Sequence, residues 1–340
     1  MSLAIVVLLT GCNKLKDEPV KEHKPKEIES VQKGKVEFPN HFPLTGMGTK
    51  QDISDRAVAV MVNNDPKARP QEGLDKADIV YEILAEGSIT RFLAIFQSEK
   101  PEKIGPVRSA RKYYIELAKG YDSLYIAHGY SEEAQKMLSR GYIDNINGIQ
   151  YDGTLFKRSS KRVAPHNSYI TFDNILKGAD QKGYSMKRPP EPLVFLSEDE
   201  QKQLEGTATG KVTVSYYNNN NFTVTYEYDA DLGKYKRYAN GVQTVSEESD
   251  KPVLLENVFI VEAQHQTVDN LGRRNINLDS GGKAYLLQKG LIQSVEWINE
   301  GNRIIPVLNG SKVGFVPGKT WINFVPTNPG LTSFVKFDSN

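Results

Sequence analysis

Arginine, histidine and acidic residues concentrate in the first half of the chain, in short loops or beside apolar stretches. The segment 104–111 reads IGPVRSAR and leads into a predicted helix. Its glycine allows a ligand to approach the backbone closely, and Ser109 can cap the helix. The guanidinium groups of Arg108 and Arg111 add forked donors beside the free N–H groups of a helix start. The sequence therefore predicts a binding site for an anion, either phosphate or a carboxylate.

The same half of the chain holds further candidates for this site. The basic ones are Arg91, Arg158 and Arg162, and those for ligand contact or catalysis are Glu82, Glu86, His128, Asp152, His166 and Asn167. His128 follows a predicted strand, a position at the end of a sheet from which an acid or base can act. The alternative interpretation is that the arginines pair with carboxylates and only stabilise the domain, as arginine–glutamate networks commonly do.

Glu82 and Glu86 are four residues apart, which predicts that both lie on one face of a strand or helix. Such a pair can serve as acid and base, or hold a metal ion together with His128. In a strand their backbones would be roughly 13 Å apart, beyond the roughly 5 to 10 Å that glycoside hydrolysis uses. The sequence also lacks HExxH, GxSxG, Walker and GxGxxG motifs and paired cysteines, so no metal and no cofactor are predicted.

Strands and helices mix in the part of the chain that must position these residues. Apolar stretches at 57–62, 78–86 and 89–97 predict strands, and a Gly-Ser pair divides the last two, which are either a hairpin or two successive strands. Helices are predicted at 110–119 and after Ser131, with a strand at 123–127 between them. Residues 38–187 are therefore predicted to form an α/β or α+β domain.

A proline-rich segment, RPPEP at 188–192, interrupts regular structure and opens a predicted linker over 188–205 that ends in one short helix. Beyond it, strand-like stretches alternate with Gly and Asn turns. Residues 206–340 are therefore predicted to form a mostly β domain, either a barrel or a sandwich.

The first twelve residues read as a lipoprotein signal, because a short apolar stretch ends in Leu-Thr-Gly-Cys. Cys12 is the single cysteine of the chain and is predicted to carry the lipid anchor, palmitate included. No Lys or Arg precedes the apolar stretch, which predicts that the natural protein begins upstream of Met1. Residues 13–37 are rich in Lys and Glu and predict a flexible charged tether.

Charge and hydropathy exclude two other classes of protein. The 43 basic and 42 acidic residues leave a formal net charge of +1, so no nucleic-acid partner is expected. No stretch of eighteen apolar residues is present, so no transmembrane helix is predicted.

Taken together, several motifs resemble those of the YerB-like lipoproteins of Gram-positive bacteria. They are the lipobox and tether, YEILAEG at 81–87 followed by TR at 90–91, GPVRSAR at 105–111 and APHN at 164–167. In the second half the likeness lies in NV at 257–258, GG at 281–282, Trp297 and PGKTW at 317–321. The resemblance implies a membrane-anchored, extracytoplasmic protein with a C-terminal β domain. It implies no reaction, because the family is known as one of unknown function.

The leading functional hypothesis is a non-catalytic binding or adaptor role, in which an Arg/His cleft recognises an anionic cell-wall component or a wall-synthesis partner. The alternative is a cell-envelope hydrolase or transferase acting on a glycan or phosphodiester, with Glu86 or His128 as general base. That alternative requires Glu86, His128 and His166 to converge on one pocket. A purely structural role would instead require every arginine to be paired.

Overall fold

The computed structural model describes residues 38–217 and 219–338. The predicted signal segment 1–12, with Cys12, and the predicted tether 13–37 lie outside the described residues.

Up to residue 187, strands and helices alternate along the chain. The strands are β1 (Asn40–His41), β2 (Gly48–Thr49), β3 (Val58–Asn63), β4 (Ile79–Glu86), β5 (Ile89–Phe96), β6 (Lys103–Ile104), β7 (Leu124–Ala127), β8 (Asn145–Asn147), β9 (Phe156–Arg158) and β10 (Ser168–Thr171). The helices are α1 (Lys112–Lys119), α2 (Glu132–Ser139), α3 (Gly148–Tyr151) and α4 (Phe172–Gln181), with 3-10 turns at Pro66–Ala68 and Leu74–Lys76.

Later in the chain, strands dominate. They are β11 (Thr207–Ala208), β12 (Lys211–Ser215), β13 (Thr223–Asp229), β14 (Lys234–Ala239), β15 (Val242–Gln243), β16 (Leu254–Leu255), β17 (Asn257–Ala263), β18 (His265–Thr267), β19 (Arg274–Ile276), β20 (Gly282–Gln288), β21 (Leu291–Glu300), β22 (Arg303–Leu308), β23 (Ser311–Lys312), β24 (Thr320–Pro326) and β25 (Val335–Phe337). The helical pieces are α5 (Glu198–Lys202), a 3-10 turn at Asn220–Phe222 and α6 (Leu331–Phe334). The predicted fold class, a mixed α/β part followed by a mostly β part, is confirmed.

A twelve-stranded sheet runs through both parts of the chain. Its order is β23-β22-β21-β20-β17-β24-β4-β5-β3-β7-β8, with β11 paired to β21. The two parts meet where β24 pairs in parallel with β4, which sets Asn323 beside Glu82. The division of the chain into domains at 38–187 and 206–340 stays a prediction.

Two hydrophobic layers cover the two faces of this sheet. In β3, Val58, Val60 and Val62 face the layer that includes β12 to β14 of the six-stranded sheet. Ala59 and Met61, which alternate with them, face the layer that includes α1 and α2. All six residues of β3 are buried, as expected for a strand covered on both faces, and this explains its uninterrupted apolar sequence.

The predicted linker 188–205 is hydrogen-bonded along its length. The Leu193 N–H donates to the Pro43 carbonyl at 2.9 Å, and the Leu196 N–H donates to the Phe315 carbonyl at 2.8 Å. A guanidinium nitrogen of Arg303 also donates to the Glu191 carbonyl at 3.0 Å. These bonds satisfy backbone groups that the prolines keep out of regular structure.

The helices of the described part of the chain are short. The longest, α4, has ten residues. Within residues 38–217 and 219–338, no helix combines the length and the apolar character needed to cross a membrane.

Candidate functional site

The carboxyl ends of three parallel strands, β3, β7 and β8, lie side by side in the large sheet. The segment 105–111 crosses these ends and bonds to β3 and to the residue that follows β7. The Arg108 N–H donates to the Met61 carbonyl at 2.9 Å, and the Arg108 carbonyl accepts from the His128 N–H at 3.0 Å. The carboxyl ends of parallel strands are where open α/β sheets usually bind ligands, so the backbone places Arg108 at a favourable position.

Gly105 is required where this segment begins. Its φ is +153°, and a Cβ there would lie 2.8 Å from the Tyr169 ring and 2.9 Å from the Ser168 carbonyl oxygen. Any side chain would therefore push the segment away from β10 and displace Arg108.

The helix that follows begins later than predicted. Helix α1 starts at Lys112 with Arg111 as its N-cap residue, and no side chain caps it. The Ser109 hydroxyl instead donates to the His128 carbonyl at 3.2 Å, so the prediction that Ser109 caps the helix is wrong. The physical reason is that the Ala110 N–H is still bonded to the Gly129 carbonyl, which keeps the chain extended.

Glu86 is held by two arginines. Arg91 Nη2 donates to both of its carboxylate oxygens, at 2.8 and 2.6 Å, and Arg111 Nη2 donates to Oε1. Both arginines are buried, with 3% and 9% of their surface exposed. Burial alone would raise the pKa of the Glu86 carboxyl group, but Arg91 and Arg111 lower it overall. A carboxylate in this state is a weak general base.

Arg108 differs from these arginines because its guanidinium group has no hydrogen-bond or ion-pair partner among the described residues. Its side chain is partly buried. Burial lowers the pKa of Arg108, attraction to Glu86 opposes this, and repulsion by Arg111 adds to it. Asp65 also attracts Arg108, but the three guanidinium groups still outnumber the two carboxylates that act on them, Glu86 and Asp65, which leaves positive charge in excess.

His128 lies at the centre of a second group of side chains. Arg158 Nη2 lies 3.2 Å from its Nε2, and Ser168 Oγ lies 2.7 Å from its Nδ1. Arginine can only donate, so Nε2 accepts and Nδ1–H donates to the serine. Burial and then the charge of Arg158 lower the pKa of His128, in agreement with a neutral ring.

Arg158 also connects Asp152 and Asn167 to His128. Its Nε and Nη2 donate to Asp152 Oδ2 at 2.9 and 2.8 Å, and its Nη1 donates to Asn167 Oδ1 at 3.0 Å. The Asp152 carboxylate lies farther from His128, at 4.0 Å from Nε2. The hydrogen bonds from Arg158 lower the pKa of Asp152.

His166 and Arg162 make separate contacts. His166 Nδ1 lies 3.0 Å from Asn63 Nδ2. Arg162 donates to the Tyr169 hydroxyl, to Glu247 Oε2 at 3.3 Å and to the Pro70 carbonyl at 2.8 Å. Within the described residues, no hydrogen bond connects any two of Glu86, His128 and His166.

Glu82 lies on the other face of the sheet from Glu86, so the prediction that they share a face is wrong. The register shifts between Leu84 and Glu86, and this β-bulge turns the end of the strand over. Glu82 is fully buried and accepts from Arg237 Nη2 at 2.8 Å and from Trp321 Nε1 at 3.0 Å.

The structure thus brings most of the predicted residues together in two adjoining groups, and it leaves out Glu82, Arg162 and His166. The first group is Glu86, Arg91, Arg108 and Arg111, and the second is His128, Asp152, Arg158 and Asn167. Sequence reasoning missed Ser168, which orients His128, and Asn63, which contacts His166. Their positions offered a signal, since Ser168 directly follows Asn167 and Asn63 ends a predicted strand. No three His, Cys, Asp or Glu residues in the described ranges are placed to hold a metal ion.

Comparison with known proteins assigns this architecture to a family. Residues 44–185 match the "Protein of unknown function (DUF3048) N-terminal domain", and residues 212–322 match the "Protein of unknown function (DUF3048) C-terminal domain". The chain therefore belongs to the DUF3048 family.

One relative is the Bacillus subtilis (strain 168) protein named "Putative lipoprotein YerB". It is 50% identical over 286 residues, which cover 84% of this chain and 86% of that protein. The solved structure titled "Crystal structure of YerB protein from Bacillus subtilis" matches with a TM-score of 0.82 and 47% identity, and it covers 88% of this chain and 99% of that one. The predicted resemblance to YerB-like proteins is confirmed.

Proposed function

We propose that this chain is a lipid-anchored extracytoplasmic protein that binds an anionic ligand of the cell envelope at Arg108. The observation that carries the proposal is the partly buried Arg108 guanidinium, which has no partner among the described residues. A partly buried cation without a hydrogen-bonded or ion-paired partner is costly, and an anion that binds it recovers part of that cost.

The surroundings of Arg108 support binding better than catalysis. Both oxygens of Glu86 accept hydrogen bonds from arginines, and its lowered pKa makes it a poor base. Both ring nitrogens of His128 are also occupied, by Ser168 and Arg158. The site therefore holds its acids and bases in fixed hydrogen bonds and presents one free charge.

The ion pair of Arg91 with Glu86 helps to position Arg108. Arg91 Nη1 donates to the Ser109 carbonyl at 2.9 Å, next to Arg108 in the chain. Arg91 is in turn fixed by Glu86, so the ion pair behind the site braces the backbone that carries Arg108. Preorganised donors of this kind bind anions without a large ordering cost.

Binding should depend on Arg108 itself. In an Arg108→Gln variant of the full chain, we expect the affinity for a poly(glycerol phosphate) probe to fall roughly 10- to 100-fold, because a charge-assisted hydrogen bond is lost. Titration calorimetry at low salt measures this, with inorganic phosphate as a second probe.

The matched control is Arg140→Gln, which removes the same charge from an exposed residue at the end of α2. Its affinity should equal that of the native chain. If both variants bound equally weakly, the loss would come from the lower net charge and not from Arg108 itself, which would contradict the proposal. Unchanged binding in Arg108→Gln would contradict it too. Binding of a wall-synthesis protein in place of the polymer would also contradict it.

The membrane anchor is assigned to Cys12, where the sequence ends its apolar stretch with Leu-Thr-Gly-Cys. The relative named as a lipoprotein supports this assignment. The segment 13–37, whose sequence predicts a charged tether, lies between Cys12 and residue 38, and its twenty-five residues are enough chain to span several nanometres.

Cys12→Ala should release the protein from the membrane. Expressed from its own gene in a Gram-positive host, the native protein should fractionate with membranes and incorporate a palmitate analogue, whereas the variant should do neither. Surface protease treatment of intact protoplasts tests the extracytoplasmic face. Equal membrane association of the variant and the native protein would refute the anchor.

A further inference from the structure

A cavity of about 300 Å³ lies between residues 66–71 and the β14–β15 hairpin. Its walls come from both parts of the chain, and it is separate from the Arg108 site. Its volume is at the lower end of small-molecule pockets, which run from roughly 300 to 1,000 Å³.

The charged residues lining this cavity are two arginines, Arg69 and Arg237. Arg237 is 1% exposed and is paired with Glu82, but its Nε atom is buried without a hydrogen-bond acceptor. Arg69 bonds to neutral groups, since its Nε donates to Asn64 Oδ1 at 3.0 Å and its Nη2 donates to the Asn64 carbonyl at 2.9 Å. Glu82 is paired with Arg237, and Asp65 attracts Arg69 without forming an ion pair, so Arg69 has no ion-pair partner among the described residues.

The pKa of Arg69 also reflects the guanidinium group of Arg237 beside it. Burial and then repulsion by Arg237 lower the pKa of Arg69 to about 10. Its guanidinium group lies over the Phe222 ring, 5.3 Å from the centroid, which keeps it beside the cavity. A bound anion would relieve the repulsion between the two arginines.

Most of the exposed wall area is apolar, although polar side chains also line the cavity. The apolar members of the wall are Pro66, Pro70, Ala239, Val242 and Val245. Val242 lines the cavity and is 69% exposed, so its apolar side chain is accessible to a ligand. Val242 follows directly on the turn formed by Asn240 and Gly241, both of which have positive φ.

We propose that this cavity binds a small monocarboxylate with an apolar body, with the carboxylate facing Arg69 and Arg237 and the body against the proline and valine wall. A monoanion matches the one guanidinium group of this wall that lacks an ion-pair partner among the described residues, that of Arg69. A phosphate dianion has no apolar part for this wall.

Titration calorimetry on the full chain tests the proposal with hexanoate and benzoate, and with hexanol and benzamide as neutral counterparts. We expect saturable binding of the carboxylates and much weaker binding of the neutral molecules and of inorganic phosphate. Arg69→Gln should weaken carboxylate binding roughly 10- to 100-fold.

Val242→Trp provides a second variant that does not depend on charge. Residue 242 is exposed, so the variant should keep the native thermal midpoint while its indole blocks the cavity. Arg140→Gln, the exposed control, should bind as the native chain does. Absence of saturable carboxylate binding up to millimolar concentration, equal binding of the neutral counterparts, or native affinity in both Arg69→Gln and Val242→Trp would overturn the proposal.

Discussion

Arg237→Met is expected to lower the free energy of unfolding by about 3 to 5 kcal/mol, because it leaves the Glu82 carboxylate buried without its counter-charge. Glu82 and Arg237 have side chains that are 0% and 1% exposed, and they form an ion pair of 2.8 Å. The loss also includes packing, since the guanidinium group lies 4.4 Å from the centroid of the Trp321 ring.

Urea unfolding followed by tryptophan fluorescence measures this loss directly. The chain has two tryptophans, and Trp321 itself donates to Glu82, so its emission reports on the cluster. Arg188→Met is the matched control, because Arg188 is 48% exposed and pairs with Asp122 at the surface. Its cost should stay below about 1 kcal/mol.

A double variant separates charge from general disruption. Adding Glu82→Gln to Arg237→Met removes the buried charge and should recover much of the lost stability, since buried ion pairs are costly to break but not to replace. If the single Arg237→Met variant lost less than about 1 kcal/mol, or if the double variant were no more stable than the single one, the argument would fail.

The same cluster explains what the sequence could not predict. Glu82 belongs to β4, whereas Arg237 lies in β14 and Asn323 in β24, more than 150 residues further along. Local patterning predicts each strand but contains no information on which distant strand pairs with it. The parallel pairing of β24 with β4 therefore depends on tertiary packing, and so does the burial of Glu82.

Some structural features that depend only on residues close together in the chain were predicted correctly from the sequence. The helix predicted after Ser131 is present as α2: Ser131 caps it by accepting from the Ala134 N–H, and acidic residues occupy its first turn. The strands β4 and β5 on either side of Gly87 and Ser88 were also predicted, from two apolar stretches and the Gly-Ser pair between them, and they form a hairpin.

The candidate site was predictable in residue type but not in pairing. The sequence placed Arg108 and Arg111 in one segment, yet nothing in their spacing distinguishes the arginine bound to Glu86 from the one without a partner. That difference arises from the bulge at the end of β4, which turns Glu86 toward Arg91 and Arg111. A single irregular residue in a strand thus decides which arginine remains free.

Acidification from pH 7 to pH 5 is expected to lower the free energy of unfolding by about 2 kcal/mol through His265 alone. The His265 Nδ1–H donates to the Ala263 carbonyl at 2.8 Å, and its Nε2 atom is buried without a partner. Burial lowers the pKa of His265 to about 4, the bond to Ala263 opposes this, and the charge of Arg274 adds to it.

The sign follows from the protons bound in each state. Between about pH 4 and pH 6.5 the unfolded chain holds a proton on this imidazole and the folded chain does not, so stability falls as the pH falls. Urea unfolding at pH 7 and pH 5 should show a difference about 2 kcal/mol smaller in His265→Gln than in the native chain. His41→Gln, at an exposed residue, should keep the native difference. Other groups titrate in both chains, so the contribution of His265 is the difference between the native chain and the variant in how far the free energy of unfolding changes from pH 7 to pH 5. If that change were the same in both chains, the His265 ring would accept a proton in the folded state, and the prediction would be wrong.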